Sequence, residues 1–414
     1  MLLTGSELLR GVIADRNAAF LGRELERHGF ELRRVLTVGD TLEDIIWAAQ
    51  LAASEAELVV TSGGLGPTHD DRTVEALARV AGAELMLDEE VLARIQAWTD
   101  QVARRFDYDP GRFLAGNRKQ AHVPRGATVL GLAGTAPGLV MQLDGAVAIV
   151  LPGVPGELRR LWQRAPEHPR LTALFRSGRP RSRQLLRLYG VGESHVADLF
   201  AAAGGDPPGV ETSICARNYE IEVDIRAEAG SEKAAAELAA RLRELLGEHV
   251  FASDERPLAA LVLERLVELG WTLGTAESCT GGAVGAAITA VPGSSRAFAG
   301  ALVTYSDELK QRLLGVPAPT LAEHGAVSAE TARAMALGAR RALGVDAALA
   351  VTGVAGPGGG TPAKPVGLVH LCAVTPAGEA ERRLQAAGDR DEVRARATVA
   401  VLQLLRGHLV TVGG

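Results

Sequence analysis

The chain has 414 residues, a net charge of −6 and 47% hydrophobic residues. That length exceeds one ordinary core, so two or three domains are expected, and the acidic balance argues against a general nucleic-acid binder. No apolar run approaches the roughly 18 residues of a membrane span. The first residues, M-L-L-T-G-S-E-L-L-R-G, have no basic segment ahead of an apolar one, so no signal peptide is read. Cys215, Cys279 and Cys372 lie far apart without a C-x-x-C, which fits a reduced cytoplasmic protein with neither a disulfide framework nor a zinc site. Of 44 basic residues only Lys119, Lys233, Lys310 and Lys364 are lysine. Lysine can give up its proton when desolvated and arginine cannot, so a lysine at a motif position carries information here.

Residues 1–166 alternate strands and helices. Arg33–Val38 predicts a strand ending at Gly39-Asp40, Leu42–Ser54 has helical spacing, and Leu58–Thr61 predicts a strand. S-G-G-L-G-P-T-H-D-D follows, then a helix over Arg72–Ala81, and later a strand over Ala146–Leu151, P-G-V-P-G-E and a helix over Leu158–Gln163. This alternation predicts a largely parallel sheet covered on both faces, a three-layer α/β/α domain. Polar clusters fall on its strand–helix turns: Glu7 with Asp15 and Asn17, then Asp40, then Asp70-Asp71. Gly63, Gly64 and Gly66 let the backbone approach a phosphate. Asp70 and Asp71 suit a hard divalent cation, while Asp70 as a helix cap is the alternative. The glycine loop ahead of them, and Asp40 on the same sheet edge, favour the cation. No P-loop or dinucleotide fingerprint is present, and no histidine is assigned to a metal.

G-S-E-L-L-R-G, Asn17-Ala18, V-G-D at 38–40, T-S-G-G-L-G-P-T-H-D-D at 61–71, G-N-R-K-Q-A at 116–121 and L-P-G-V-P-G-E at 151–157 stand in a specific order and spacing. With them the chain resembles the amino-terminal half of the CinA family, which is similar to molybdopterin-binding domains. The resemblance implies an ADP-ribose pyrophosphatase that makes AMP and ribose 5-phosphate with a divalent metal ion. It implies site roles for Glu7, Asp40, Asn117 and Glu157, with Asn17, Gly63, Gly64, Gly66 and Gly153 completing the nucleotide site and Asp70 and Asp71 holding the metal. Only Met1–Thr4 precede Gly5, so an abbreviated first strand or a late start is expected.

Residues 167–252 are expected to form a second domain, entered through Pro166, Pro169 and Pro180. Strands are predicted at Leu185–Tyr189, Ile214–Ala216, Tyr219–Ala227 and Val250-Phe251, with helices over His195–Ala203 and Glu232–Leu246. This small α+β module resembles the KH-like middle domain of full-length CinA proteins. G-V-G-E at 190–193 puts an acid where an RNA clamp needs G-x-x-G, and no basic groove is evident, so a spacer or dimer contact is the expected role.

Residues 255–414 alternate again. Leu258–Leu269 predicts a helix, Trp271–Gly274 a strand, and T-A-E-S-C-T-G-G at 275–282 a turn into a helix over Gly281–Ala290. A strand over Ala299–Thr304 leaves Tyr305 at its end and Lys310 about one turn into the next helix. Further elements are predicted at Ser328–Leu343, Ala347–Thr352, Leu368–Val374 and Asp391–Leu409, with Arg390 and Arg394 at the start of the last helix. A serine hydroxyl needs a base to become a nucleophile. His324 and His370 have no evident carboxylate partner, whereas a desolvated lysine with a relaying tyrosine can serve. Ser278, Tyr305 and Lys310 form that set. Thr280, Ser294, Ser295 and Thr352 offer hydroxyls to a phosphate or ribose, and Gly281 and Gly282 offer oxyanion donors.

A-E-S-C-T-G-G, P-G-S-S, V-T-Y-S-D-E-L-K, H-G-A-V-S, T-G-V-A-G-P, K-P-V-G and G-D-R-D-E-V-R resemble the carboxyl-terminal CinA domain, the nicotinamide-nucleotide amidase. This implies hydrolysis of nicotinamide mononucleotide to nicotinate mononucleotide and ammonia without a cofactor. Ser278 would be the nucleophile and Lys310 with Tyr305 the base system. Glu277, Thr280, Gly281, Gly282, Ser294, Ser295, Thr352, Gly353, Arg390 and Arg394 would bind substrate. Asp307 stands where the family often has asparagine, and its charge would raise the pKa of Lys310. The resemblance also implies a homodimer. Two other classes stay open: a pterin- or nucleotide-binding module that binds without turnover, and an interaction factor in DNA uptake or repair.

Overall fold

The computed structural model describes residues 1–412. It divides into two compact units, Met1–Ser182 and a second beginning at Arg183.

The first unit contains β1 (Leu2–Thr4), α1 (Ser6–Leu9), α2 (Asn17–Arg27), β2 (Leu36–Val38), α3 (Leu42–Glu55), β3 (Leu58–Ser62), α4 (Thr73–Val80), β4 (Leu85–Leu87), α5 (Glu89–Phe106), α6 (Leu114–Gln120), β5 (His122–Pro124), β6 (Thr128–Leu132), β7 (Pro137–Gln142), β8 (Val147–Leu151), α7 (Pro155–Trp162) and α8 (Thr172–Ser177). Six strands form one sheet in the order β2-β1-β3-β8-β7-β6. The first four are parallel, and β7 and β6 add an antiparallel flank. Successive strand side chains point to opposite faces. Leu2, Val59 and Val150 therefore join α3, α4 and α5 in one core, while Leu3, Val60 and Ile149 join α2 and α7 in the other. The three layers are those the sequence predicts. β1 is indeed short, yet it is an interior strand paired on both sides.

Residues 167–182, expected to open the middle domain, pack on the first unit instead. Leu171 enters its core, and Phe175 meets Phe30, His28 and Trp162 at ring distances of 5.1, 4.9 and 5.9 Å. Aromatic burial outweighs the proline punctuation from which the boundary was read.

In the second unit, β9 (Ser182–Leu188), α9 (Glu193–Ala202), β10 (Val210–Arg217), β11 (Glu220–Ala227), α10 (Glu232–Leu246) and β12 (Val250–Ala252) make the small α+β module, with strand order β10-β11-β9-β12. Tyr219 sits in the β10–β11 turn rather than in the strand; Asn218 and Tyr219 both have left-handed φ, 53° and 64°. The rest is α11 (Leu258–Leu269), β13 (Leu273–Glu277), α12 (Ala283–Thr289), β14 (Phe298–Val303), α13 (Asp307–Leu314), α14 (Ala318–His324), α15 (Ala329–Leu343), β15 (Ala347–Gly353), β16 (Leu368–Thr375), β17 (Gly378–Gln385) and α16 (Arg390–Val410). The sheet order is β14-β13-β15-β16-β17. β14, β13 and β15 are parallel, and β16 and β17 antiparallel. Helices α11, α12 and α16 cover one face, and α15 with the end of α13 covers the other. No helix among the described residues is long and apolar enough to cross a membrane.

Candidate functional sites at two sheet edges

Because β13, β14 and β15 are parallel, their carboxyl ends share one edge, where an open α/β sheet exposes its reactive groups. β13 runs on into Ser278, β14 into Thr304 and Tyr305, and β15 ends at Thr352-Gly353. Ser278 is pinned through its backbone, its N–H donating to Val351 O at 2.9 Å.

Glu277 is inside the strand rather than on the turn, and it is fully buried. Its carboxylate accepts N–H bonds from Gly282 (2.9 Å), Val284 (3.1 Å) and Gly285 (2.8 Å), and the Thr275 hydroxyl at 3.3 Å. It therefore stitches the turn to α12, which corrects its reading as a substrate contact. Gly281 and Gly282 have φ of 61° and 97°, a conformation that side chains resist. It lets the chain double back so that the amides of Gly282, Val284 and Gly285 reach Glu277. Gly281 N–H is spent on Ser278 O at 3.2 Å, so neither glycine amide is left as an oxyanion donor. The N–H groups of Cys279 and Thr280 face the Cys279 sulfur instead. Burial pushes that thiol up to about 11, so it stays protonated at neutral pH and is a weak nucleophile.

Lys310 is 1% exposed although it is a lysine on a helix. Its Nζ donates to Tyr305 O at 3.2 Å and lies 3.5 Å from Asp307 Oδ1. Desolvation lowers its pKa, and Asp307 opposes this without cancelling it. The expected blunting by Asp307 is therefore real in sign but smaller than the effect of burial. Tyr305 is 60% exposed, and its hydroxyl accepts from Arg390 Nη2 at 3.1 Å. The lysine is met by the tyrosine backbone, not by its hydroxyl, which corrects the expected relay.

Arg390 and Arg394, on the first turns of α16, brace the same edge. Arg390 Nη1 donates to Gly356 O at 2.7 Å, and Arg394 Nη2 to Thr280 O at 3.1 Å. The hydroxyls of Thr280 and Thr304 are buried without a partner; Thr304 went unread because nothing but its place at a strand end marks it. The hydroxyl of Thr352 is spent on Ala326 O at 2.6 Å, and Gly353 packs against β16. Ser294 and Ser295 precede β14 and line a trough with Thr289 and Phe298. They lie at the amino end of that strand, and the same trough reaches Gly282 and Gly285 beyond the Ser278 turn. His324 does have acids beside it, Glu323 at 3.8 Å and Glu330 at 3.9 Å.

In the first unit a cleft of about 880 Å³ opens at the corresponding edge, lined by Glu7, Asn17, Asp40, Gly63, Gly64, Gly66, Asp70, Asp71, Gly153 and Glu157. Asn17 Nδ2 ties two strand ends together, donating to Ser62 Oγ (2.9 Å) and Gly153 O (2.7 Å). Asp40 Oδ2 accepts from Ser6 N at 2.8 Å. A side chain at Gly63 would strike the Thr4 carbonyl, so glycine there serves strand packing as well as access. Asn117 is not in the cleft: it is buried in α6 and donates to Thr99 Oγ1 at 2.9 Å. Gln120, Thr68 and Thr135 line the cleft and were unread.

Neither aspartate caps α4, whose cap residue is Arg72. The Thr68 hydroxyl donates to both carboxylates, at 2.5 Å for Asp71, and this bond leads in holding Asp70 below the usual carboxylate range. Lys119 donates to Thr68 O; burial lowers its pKa while Asp71 and Asp70 raise it. Burial also pushes the Glu157 carboxyl up, against Arg160. Among the described residues no three His, Cys, Asp or Glu side chains converge as a metal cage. Two carboxylates completed by substrate phosphate oxygens remain a fitting donor set for a hard divalent ion.

These features define a multidomain α/β protein with two polar sheet-edge sites. Residues 1–171 match the family described as probable molybdopterin binding domain, 183–252 the damage-inducible protein CinA KH domain, and 255–409 the CinA C-terminal domain. The chain is 41% identical over 412 residues to a CinA-like protein of Citrifermentans bemidjiense, covering 99% of this chain and 97% of that protein. It is 43% identical over 420 residues to a CinA-like protein of Mycobacterium sp. (strain JLS), covering 99% and 98%. A solved competence/damage inducible protein CihA from Agrobacterium tumefaciens is 37% identical, covers 39% of this chain and 100% of its own, and has a TM-score of 0.36. The chain belongs to the CinA family.

Proposed function

We propose that the protein is a two-activity hydrolase of pyridine-nucleotide breakdown products, whose carboxyl domain deamidates nicotinamide mononucleotide. The observation that carries this reading is Lys310, a buried ammonium with a lowered pKa on the edge where Ser278 emerges. A lysine that spends part of its time neutral is a general base. In this reading Ser278 Oγ attacks the carboxamide carbon and Lys310 takes the hydroxyl proton. Ammonia leaves with the proton that Lys310 returns, and water then hydrolyses the ester to nicotinate mononucleotide. Arg390 and Arg394 supply positive charge for the phosphate, and no cofactor enters. The protonated Cys279 is a bystander, so Cys279→Ala is expected to keep turnover within about threefold of wild type; a loss as deep as that of a nucleophile variant, about 10³-fold, would move the chemistry onto sulfur.

For the amino-terminal domain the proposal is hydrolysis of ADP-ribose to AMP and ribose 5-phosphate. Asp70 and Asp71 would hold a divalent ion, which when bound neutralises charge on the phosphates. Asn17 fixes the Gly153 loop, and in this reading Glu157, on the cleft wall, accepts a proton from the attacking water. Asp71→Ala is expected to abolish metal-dependent AMP formation. Incubation with each nucleotide, with and without divalent ions, followed by product identification, tests both halves. Ammonia and nicotinate mononucleotide should form without metal, and AMP only with it. Binding of ADP-ribose with no AMP under any divalent ion would make the first domain a binding module.

A further inference from the structure

The small α+β module is seated on α16, the helix that carries Arg390 and Arg394. Arg396, Val399, Gln403 and Arg406 are spaced by three, four and three residues, one stripe of a helix. Three of them meet the module. The Arg396 guanidinium stands over the Tyr219 ring at 4.5 Å, and that of Arg406 over the Phe251 ring at 5.4 Å. Gln403 Nε2 donates to Glu220 Oε1 at 3.5 Å, while Glu220 Oε2 accepts from Arg187 Nη2 at 2.6 Å. Arg187, Glu220 and Gln403 are all buried.

Tyr219 is the unusual member. A two-residue hairpin turn with both φ positive calls for Asn-Gly. Here the second place is an aromatic residue at φ 64°, a conformation that is strained for a non-glycine residue and persists where the surroundings enforce it. What the ring meets is Arg396, two residues past Arg394, whose own guanidinium holds Thr280 O. At 1.5 Å rise per residue both contacts fall within one helical turn.

We infer that Tyr219 is a positioning residue for the carboxyl-edge site: the hairpin tip holds the first turns of α16 through Arg396, and so fixes where Arg394 braces the Ser278 turn and where Arg390 holds Gly356 O and the Tyr305 hydroxyl. The kinetic form of this inference rests on the amidase reading; its structural form does not. Three full-chain variants separate the causes. Tyr219→Phe keeps the ring face and should match wild type. Tyr219→Ala removes the ring and keeps the strain. Tyr219→Gly removes the ring and relieves the strain. In both Ala and Gly variants KM for nicotinamide mononucleotide should rise about tenfold with kcat within about threefold, because the anion-facing arginines move and Lys310 does not. Amide hydrogen exchange of the substrate-free protein should accelerate over residues 279–285 and 390–396 in Ala and Gly, not in Phe. A Gly variant with wild-type KM and wild-type exchange over those segments would overturn the inference, as would a Phe variant as impaired as Ala. If wild type turns over no nicotinamide mononucleotide, the exchange result decides the inference alone, and the amidase reading falls separately.

Discussion

Ser278→Ala is expected to abolish ammonia release from nicotinamide mononucleotide, a loss of about 10³-fold or more, as for nucleophile removal in other serine hydrolases. The fold should survive it. Ser278 is anchored by its main-chain N–H to Val351 O, and alanine keeps that bond. Glu277, not Ser278, holds the turn against α12 through three N–H contacts. Circular dichroism and melting temperature should therefore match wild type while ammonia assays read background. Wild-type turnover in this variant would remove the mechanism.

Lys310→Met should be as inactive and, unlike most core changes, no less stable. A buried ammonium is held at a desolvation cost, and methionine fills similar space. The pH behaviour follows from the same burial. Catalysis needs the neutral amine, so activity should rise with pH through the lowered Lys310 pKa. Asp307 holds that pKa up, so Asp307→Asn should move the rising limb to lower pH. Stability has its own sign. The folded pKa lies below the ordinary 10.5, so the folded state binds fewer protons than the unfolded chain between the two values. Stability contributed by this group therefore increases as pH rises across that window. Lys310→Arg, permanently charged, should be inactive at every pH.

Most of the architecture was legible because parallel α/β sheets announce themselves through apolar strands followed by glycine-marked turns. Glu232–Leu246 and Leu258–Leu269 are helices at their expected limits. Elements without that signature were missed. β6 and β7 run into the two ends of G-L-A-G-T-A-P-G at 131–138, whose glycines and proline read as loop, and β17 is a charged edge strand without alternation. α5 could have been found from Asp88 as its cap, Glu89 and Glu90 in its first turn, and Arg104 and Arg105 in its last.

At the sites, residue type was a better guide than neighbourhood in sequence. Lysine scarcity singled out Lys310, and the structure buries it. Lys119 is equally rare in type and stands beside Asp70 and Asp71. Glu277 next to Ser278 read as a ligand contact; only the register with Val303 and Val351 shows that it is an interior strand residue. Ser294 and Ser295 carry a family motif and stand at the amino end of β14, joined to Gly282 only through a shared trough. Which end of a strand a loop occupies depends on sheet direction, which a motif does not state. Tyr219 alternates correctly for a strand yet stands in the turn, at φ 64° with its ring under Arg396.

The most direct measurement is to quench the protein during turnover of nicotinamide mononucleotide and map covalent adducts by peptide mass spectrometry. A nicotinoyl-nucleotide ester is expected on the peptide bearing Ser278 and should be absent from Ser278→Ala. Ammonia formed at an undiminished rate by Ser278→Ala, or an adduct on Cys279 in its place, would contradict it.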